Sequence, residues 1–219
     1  MKMKWVALSL LSTSLLVSTI VGSSVSANEN PLVIGMESSQ NVSLKENVTI
    51  NGESATFERA IDKDGSVNAV LTEKDTKTTI YYNPNNNKLL VNGVEYKVNK
   101  TEMKNEIVVM KVPSGGTYMG AFEYDLSISK LTASAAAAAL SAVTKAPYNA
   151  CLAVVSVFIG STATMYYTVY QYRYPMKCDA YPYFDEIKVW TDSTRSKVSS
   201  TLESGKYFGS KPSPSSCTP

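Results

Sequence analysis

Short alternating runs of apolar and polar residues dominate the first half of the chain. Val48-Thr49-Ile50 and Ala55-Thr56-Phe57 flank Asn51-Gly52, and Leu89-Leu90-Val91 and Val94-Glu95-Tyr96-Lys97-Val98 flank Asn92-Gly93. Asn-Gly between such runs is a strong hairpin signal, because both residues tolerate the positive φ of a type I′ turn. Asp62-Lys63-Asp64-Gly65 and Asn83-Pro84-Asn85-Asn86-Asn87 mark further turns. Strands are predicted at 67–71, 78–82, 88–91 and 106–112. Their spacing suits an antiparallel meander of roughly five to seven strands.

The pattern changes over residues 131–172, where Lys145 is the single charged side chain. Residues 131–144 are alanine-rich and predict a helix. Ala146-Pro147 breaks it, since proline cannot continue a helix and disfavours helical geometry in the residue before it. Ser127 or Ser129 is placed to cap this helix. A second apolar helix is expected from about Tyr148 to between Gly160 and Ala163, so the two would form an αα-hairpin. Each is shorter than the roughly 20 residues that cross a bilayer. Ser156, Gly160 and Thr164 repeat at the spacing that lets helices approach closely in membranes. The hairpin therefore has two readings: a membrane-active element carried by Leu140, Val154, Val155, Phe158, Ile159 and Gly160, or a buried core.

Beyond the helices, 164–174 and 183–190 alternate and are rich in tyrosine, which is strand composition. Tyr166, Tyr170, Tyr172, Tyr174, Tyr181, Tyr183 and Trp190 concentrate there, as a membrane-interface belt or as ordinary cross-strand pairs. Residues 194–202 read as a short helix and 210–219 as a disordered tail. The fold class expected is α+β: an antiparallel β-meander, then an apolar αα-hairpin, then a Tyr-rich β-hairpin. The domain plan is 1–27 signal peptide, 28–115 β-rich region, 116–205 helices with aromatic strands, and 206–219 tail. The break at Pro113-Ser114-Gly115-Gly116 also allows 28–115 to be a removable pro-region.

Charge and cysteine content set the compartment. Lys2 and Lys4, an apolar run over 6–21 and Val25-Ser26-Ala27 form a secretory signal, with cleavage between Ala27 and Asn28 and Sec-type export to the outside of the cell. The formal charge of +2 comes from those two lysines, so the mature chain is neutral. A neutral chain lacks the electrostatic footprint of nucleic-acid binding. Three cysteines in an exported protein imply one disulfide and one leftover thiol. Cys151 with Cys178 is the pairing favoured if helix and strand run back alongside each other; Cys178 with Cys217 is its rival.

Little points to catalysis. There is no histidine, which removes Ser-His-Asp and Cys-His chemistry and His-ligated metal. No phosphate-cradling loop is present. Asp62-Lys63-Asp64-Gly65 opens like a calcium loop, but Leu71 stands where the closing carboxylate belongs. Asp185 and Glu186 are adjacent, so a strand would point them to opposite faces. No cofactor, metal or small-molecule substrate is expected, and the chain reads as a non-enzyme whose candidate partner is a target-cell membrane.

The order of parts is export signal, polar β-rich region, Ala/Val-rich helices, then Tyr166-Tyr167-Thr168-Val169-Tyr170-Gln171-Tyr172-Arg173-Tyr174 and Phe184-Asp185-Glu186-Ile187-Lys188-Val189-Trp190. Over residues 120–195 this organisation resembles the large secreted geobacillin-like bacteriocins of Gram-positive bacteria. The resemblance implies an exported antibacterial protein. The expectation that follows is action on target-cell membranes through the helical pair. The alternative is a secreted surface or matrix protein in which the helices are core.

Overall fold

The computed structural model describes residues 42–103, 114–160, 162–209 and 217–219, all within the compact unit formed by residues 31–219. The signal segment, the cleavage site at Ala27 and Asn28, the strand expected at 106–112 and most of the 210–219 tail lie outside them.

Six strands form a first sheet in chain order: β1 (Val42–Ile50), β2 (Glu53–Ile61), β3 (Val67–Glu73), β4 (Thr76–Asn83), β5 (Lys88–Val91) and β6 (Val94–Tyr96). Every neighbouring pair is antiparallel. Asn51 (φ 52°) and Gly52 (φ 83°), then Asn92 (φ 50°) and Gly93 (φ 77°), close the two hairpins expected from Asn-Gly. Alternation sends one set of side chains inward: Ala55, Phe57 and Arg59 from β2, Val67, Ala69 and Leu71 from β3, Thr78, Ile80 and Tyr82 from β4.

At Lys97 the chain leaves this sheet for a second one. That sheet has the order β11-β10-β9-β8-β7, with β7 (Val98–Glu102), β8 (Thr117–Ser127), β9 (Thr164–Arg173), β10 (Pro182–Trp190) and β11 (Val198–Phe208). It is also wholly antiparallel. The segment 94–98, which reads as one strand, is thus split between two sheets. Between β8 and β9 run α1 (Ala133–Thr144) and α2 (Tyr148–Phe158). α1 packs on β3, β4 and β5, and α2 touches the edge strands β1 and β11. One apolar core joins the inward residues of both sheets with both helices. Alanine makes this possible: Ala136, Ala137, Ala138 and Ala139 are fully buried, and their short side chains let surrounding elements approach the helix axis closely.

Several expectations need correction. The molecule is mostly β, with eleven strands in two antiparallel sheets and only two short helices among the described residues, rather than a balanced α+β fold. The aromatic strands are not a free hairpin after the helices; β8 and β7 pair on to them and extend a full sheet. Residues 198–208 form β11 where a helix was expected at 194–202, because Leu202 fills the core beside Ile187 while its strand neighbours point out. The cap of α1 is Thr132, whose Oγ1 accepts from the Ala135 N–H at 3.2 Å, not Ser127 or Ser129. α2 stops at Phe158, since Ile159 is extended and Gly160 takes φ 80°.

The disulfide joins Cys178 to Cys217, so the favoured Cys151–Cys178 pairing is wrong and its rival is the one formed. Cys151 is a buried free thiol. Its place on α2, inside the core, keeps it from the β9–β10 turn that carries Cys178.

Candidate functional site

Among the described residues, buried charge gathers at the turn between the two helices. α1 ends at Lys145, which takes φ 61° and gives its backbone N–H to the Ser141 carbonyl at 2.8 Å. A helix C-terminus carries unsatisfied carbonyls and partial negative charge. Arg59, inward-facing on β2 and 7% exposed, meets it. Its Nη1 donates to the Ser141 carbonyl at 3.0 Å, to Ser141 Oγ at 3.1 Å and to the Ala146 carbonyl at 3.1 Å. The N-terminus of α2 has the opposite polarity and no capping side chain of its own, because Pro147 precedes it. Glu46 of β1 supplies the missing acceptor, receiving the Tyr148 N–H at 3.0 Å. The first sheet therefore holds the turn with a cation on one helix end and a carboxylate on the other. Burial raises the Glu46 carboxyl above its ordinary range, opposed by Arg59 and the Tyr148 N–H. Burial lowers the Arg59 guanidinium, opposed by Glu46.

The second sheet holds the same turn through Lys145. Its Nζ donates to Tyr207 Oη at 3.5 Å and lies 4.6 Å from the centre of that ring. Tyr207 in turn donates to Asp185 Oδ2 at 2.8 Å, and Gln171 Nε2 donates to Asp185 Oδ1 at 3.3 Å and to Tyr207 Oη at 3.2 Å. Burial lowers the Lys145 ammonium and raises the Asp185 carboxyl, each opposed by the other's charge. Burial and the Asp185 charge together raise the Tyr207 phenol. A pocket of about 370 Å³ opens beside this cluster, lined by Lys145, Gln171, Tyr181, Tyr183, Tyr207 and Gly209. Both Asp185 oxygens are already engaged by protein donors, which suits anchoring better than catalysis.

Most of the residues named for a membrane-active hairpin are turned into the core. Leu140, Val154, Val155 and Phe158 are buried, Ile159 is half-buried, and Gly160 alone is exposed. The outward face of α2 is Ala153, Ser156 and Val157, with Val157 67% exposed. No helix among the described residues is long and apolar enough to cross a membrane. The Asp62–Ser66 turn satisfies itself: Ser66 donates its N–H to Asp64 at 2.9 Å and its hydroxyl to Asp64 at 2.6 Å, and Asn68 donates to Asp62 at 2.8 Å. No group of three or more possible metal ligands occurs among the described residues.

The comparisons add no relative. No family model, curated protein or solved structure matches the chain.

Sequence reasoning missed Glu46, Arg59 and Tyr207, and considered Asp185 only as half of an adjacent carboxylate pair. Glu46 and Arg59 sit in polar alternating strands, 102 and 82 residues from their partners Tyr148 and Ser141. The lone charge of the 131–172 stretch, Lys145, was the one readable clue, because an isolated lysine in a buried segment demands a partner.

Proposed function

We propose that this chain is an exported, non-enzymatic antibacterial protein of the bacteriocin kind that acts at the target-cell membrane as a folded body. The observation that carries the second half is the enclosure of α1: residues 134–144 are all buried, and the turn that follows is held by Arg59 and Glu46 of the first sheet and, through Lys145, by Tyr207 of the second. Pulling the helices out would strand those charges and open the core. The Cys178–Cys217 disulfide is compatible with an extracellular protein. The organisation of residues 120–195 supplies the antibacterial half of the reading.

A second reading keeps insertion of the helices as the damaging step. It is favoured by the outward face of α2, which bears no charge and exposes Val157. Two assays on the purified exported chain separate these readings. Growth inhibition of Gram-positive indicator strains is expected, and its absence would leave a plain extracellular surface or matrix protein. Dye release from liposomes coupled to unmasking of the α2 core face would favour insertion over action as a folded body.

A further inference from the structure

We propose that one end of the second sheet is a docking surface for an anionic lipid bilayer. This inference rests on the reading that the protein acts at membranes. The surface is built from the start of β8, the β9–β10 turn and the end of β11. Strand pairing brings these together: Thr117 is opposite Arg173, Tyr118 opposite Tyr172, Arg173 opposite Tyr183, and Lys206 opposite Phe184. Tyr118, Met119, Met176 and Tyr181 are exposed by 39, 44, 55 and 38%. The other large apolar side chains exposed among the described residues, Val94, Val157 and Val198, lie on β6, on α2 and at the far end of β11.

The turn that carries Met176 is preformed. Cys178 (φ 51°) and Asp179 (φ 60°) make a tight two-residue reversal, with Lys177 and Ala180 exchanging backbone hydrogen bonds of 2.8 and 3.1 Å. The Cys178–Cys217 bond ties the tip to residues 217–219. A tip ordered in advance loses little freedom on docking.

Charge decides the occupant. Arg173, Lys177 and Lys206 stand at this end, and none forms an ion pair among the described residues. Arg173 lies 4.7 Å from the centre of the Tyr181 ring and Lys206 lies 4.0 Å from that of Tyr174. Asp179 is the one acidic residue of the turn. Tyrosine rings and thioether chains beside cations match the headgroup level of a bilayer, where rings sit amphipathically and ammonium groups meet lipid phosphates. Protein interface cores are enriched in tyrosine, methionine and arginine but depleted in lysine, so Lys177 and Lys206 are what favour a bilayer over a protein partner. Neither signal suffices alone, since firm attachment to a membrane surface takes both apolar insertion and basic charge.

The experiment is co-sedimentation of the full exported chain with large vesicles of phosphatidylglycerol and phosphatidylcholine in equal parts, against pure phosphatidylcholine. Preferential binding to the anionic vesicles is expected. Each lysine near the surface contributes about fivefold in partitioning, so K177Q/K206Q is expected to bind about 30-fold less. M176S/Y181S is expected to lose binding as well, whereas K63Q/K74Q, on turns of the first sheet, is expected to bind like the parent. Failure of Cys151 to react with a thiol reagent verifies that each variant is folded. Equal binding to both vesicle types, or unchanged binding by K177Q/K206Q, would overturn the proposal. Growth inhibition lost in K177Q/K206Q without loss of vesicle binding would also overturn it, in favour of a protein or wall-polymer receptor. Vesicle binding without growth inhibition would leave the docking surface standing and remove the antibacterial reading, so the two fail separately.

Discussion

Replacing Arg59 with methionine keeps most of the side-chain volume and removes the charge that the first sheet aims at the helix turn. Three hydrogen bonds from Nη1 disappear. A hydrogen bond to a charged group contributes about 1.5–3 kcal/mol, and breaking a buried charged pair costs about 3–5 kcal/mol. The acceptors are not all orphaned. The Ser141 carbonyl still receives the Lys145 N–H at 2.8 Å, and the Ala146 carbonyl still receives Ser141 Oγ at 2.7 Å. That places the expected loss near the bottom of the range, at about 3 kcal/mol. Urea unfolding at pH 7 measures it. The remaining cost falls on the half-buried Glu46 carboxylate, which keeps the Tyr148 N–H but loses the nearby Arg59 charge, and this gives the loss a pH signature. Glu46 has a folded pKa raised above its unfolded value, so its ionisation penalises the folded state at high pH, and the penalty vanishes as pH falls below the unfolded value. Without Arg59 that carboxyl rises further. The deficit of Arg59→Met is therefore expected to shrink as pH falls from neutral towards the unfolded value of 4.5, and Glu46→Gln in the same background is expected to recover part of it at neutral pH. A loss under about 1 kcal/mol, or one that grows on acidification, would refute the reasoning.

Other consequences follow from the same packing. Ala137→Leu puts a large side chain on the fully buried helix between the sheets, and thermal melting is expected to show a loss of about 1–3 kcal/mol or more. Tyr167 stacks on Tyr124 at 5.1 Å and buries a hydroxyl with no hydrogen-bond partner. Tyr167→Phe is therefore expected to be neutral or stabilising by about 1 kcal/mol in the same assay. Reduction of Cys178–Cys217 releases a loop spanning 39 positions, and chain entropy predicts a stability loss of up to about 4 kcal/mol in denaturant titrations, with β-sheet circular dichroism retained.

The hairpins were legible because their information is local. Asn51-Gly52 and Asn92-Gly93 carry their turn geometry in two residues each. The aromatic strands were legible for the same reason, and β9 and β10 fall within a residue of the expected bounds. The helical segments were visible in composition, but their place between two sheets was not. An alanine run reads alike whether lipid or protein surrounds it, and only the inward residues of β2, β3 and β4 decide the matter. The 194–202 segment was misread because Val198 to Phe208 is polar and interrupted by Gly205, and it is a strand only because β10 offers an edge to pair with. The charged anchors were the least visible. Their partners lie far away in sequence, and an arginine on an alternating strand reads as solvent-facing until a helix end is known to stand before it.

Cys151 provides the most direct test of whether the helices stay enclosed. It is the one free thiol, it sits fully buried on α2, and burial pushes its pKa up to about 12, so it stays an unreactive thiol while the fold is intact. Labelling with a maleimide is to be followed with and without anionic vesicles, alongside a urea-unfolded control. The account predicts one label per chain in urea and almost none in the folded protein, whether or not lipid is present. Rapid labelling on addition of vesicles would mean that α2 leaves the core at the membrane, and would contradict it.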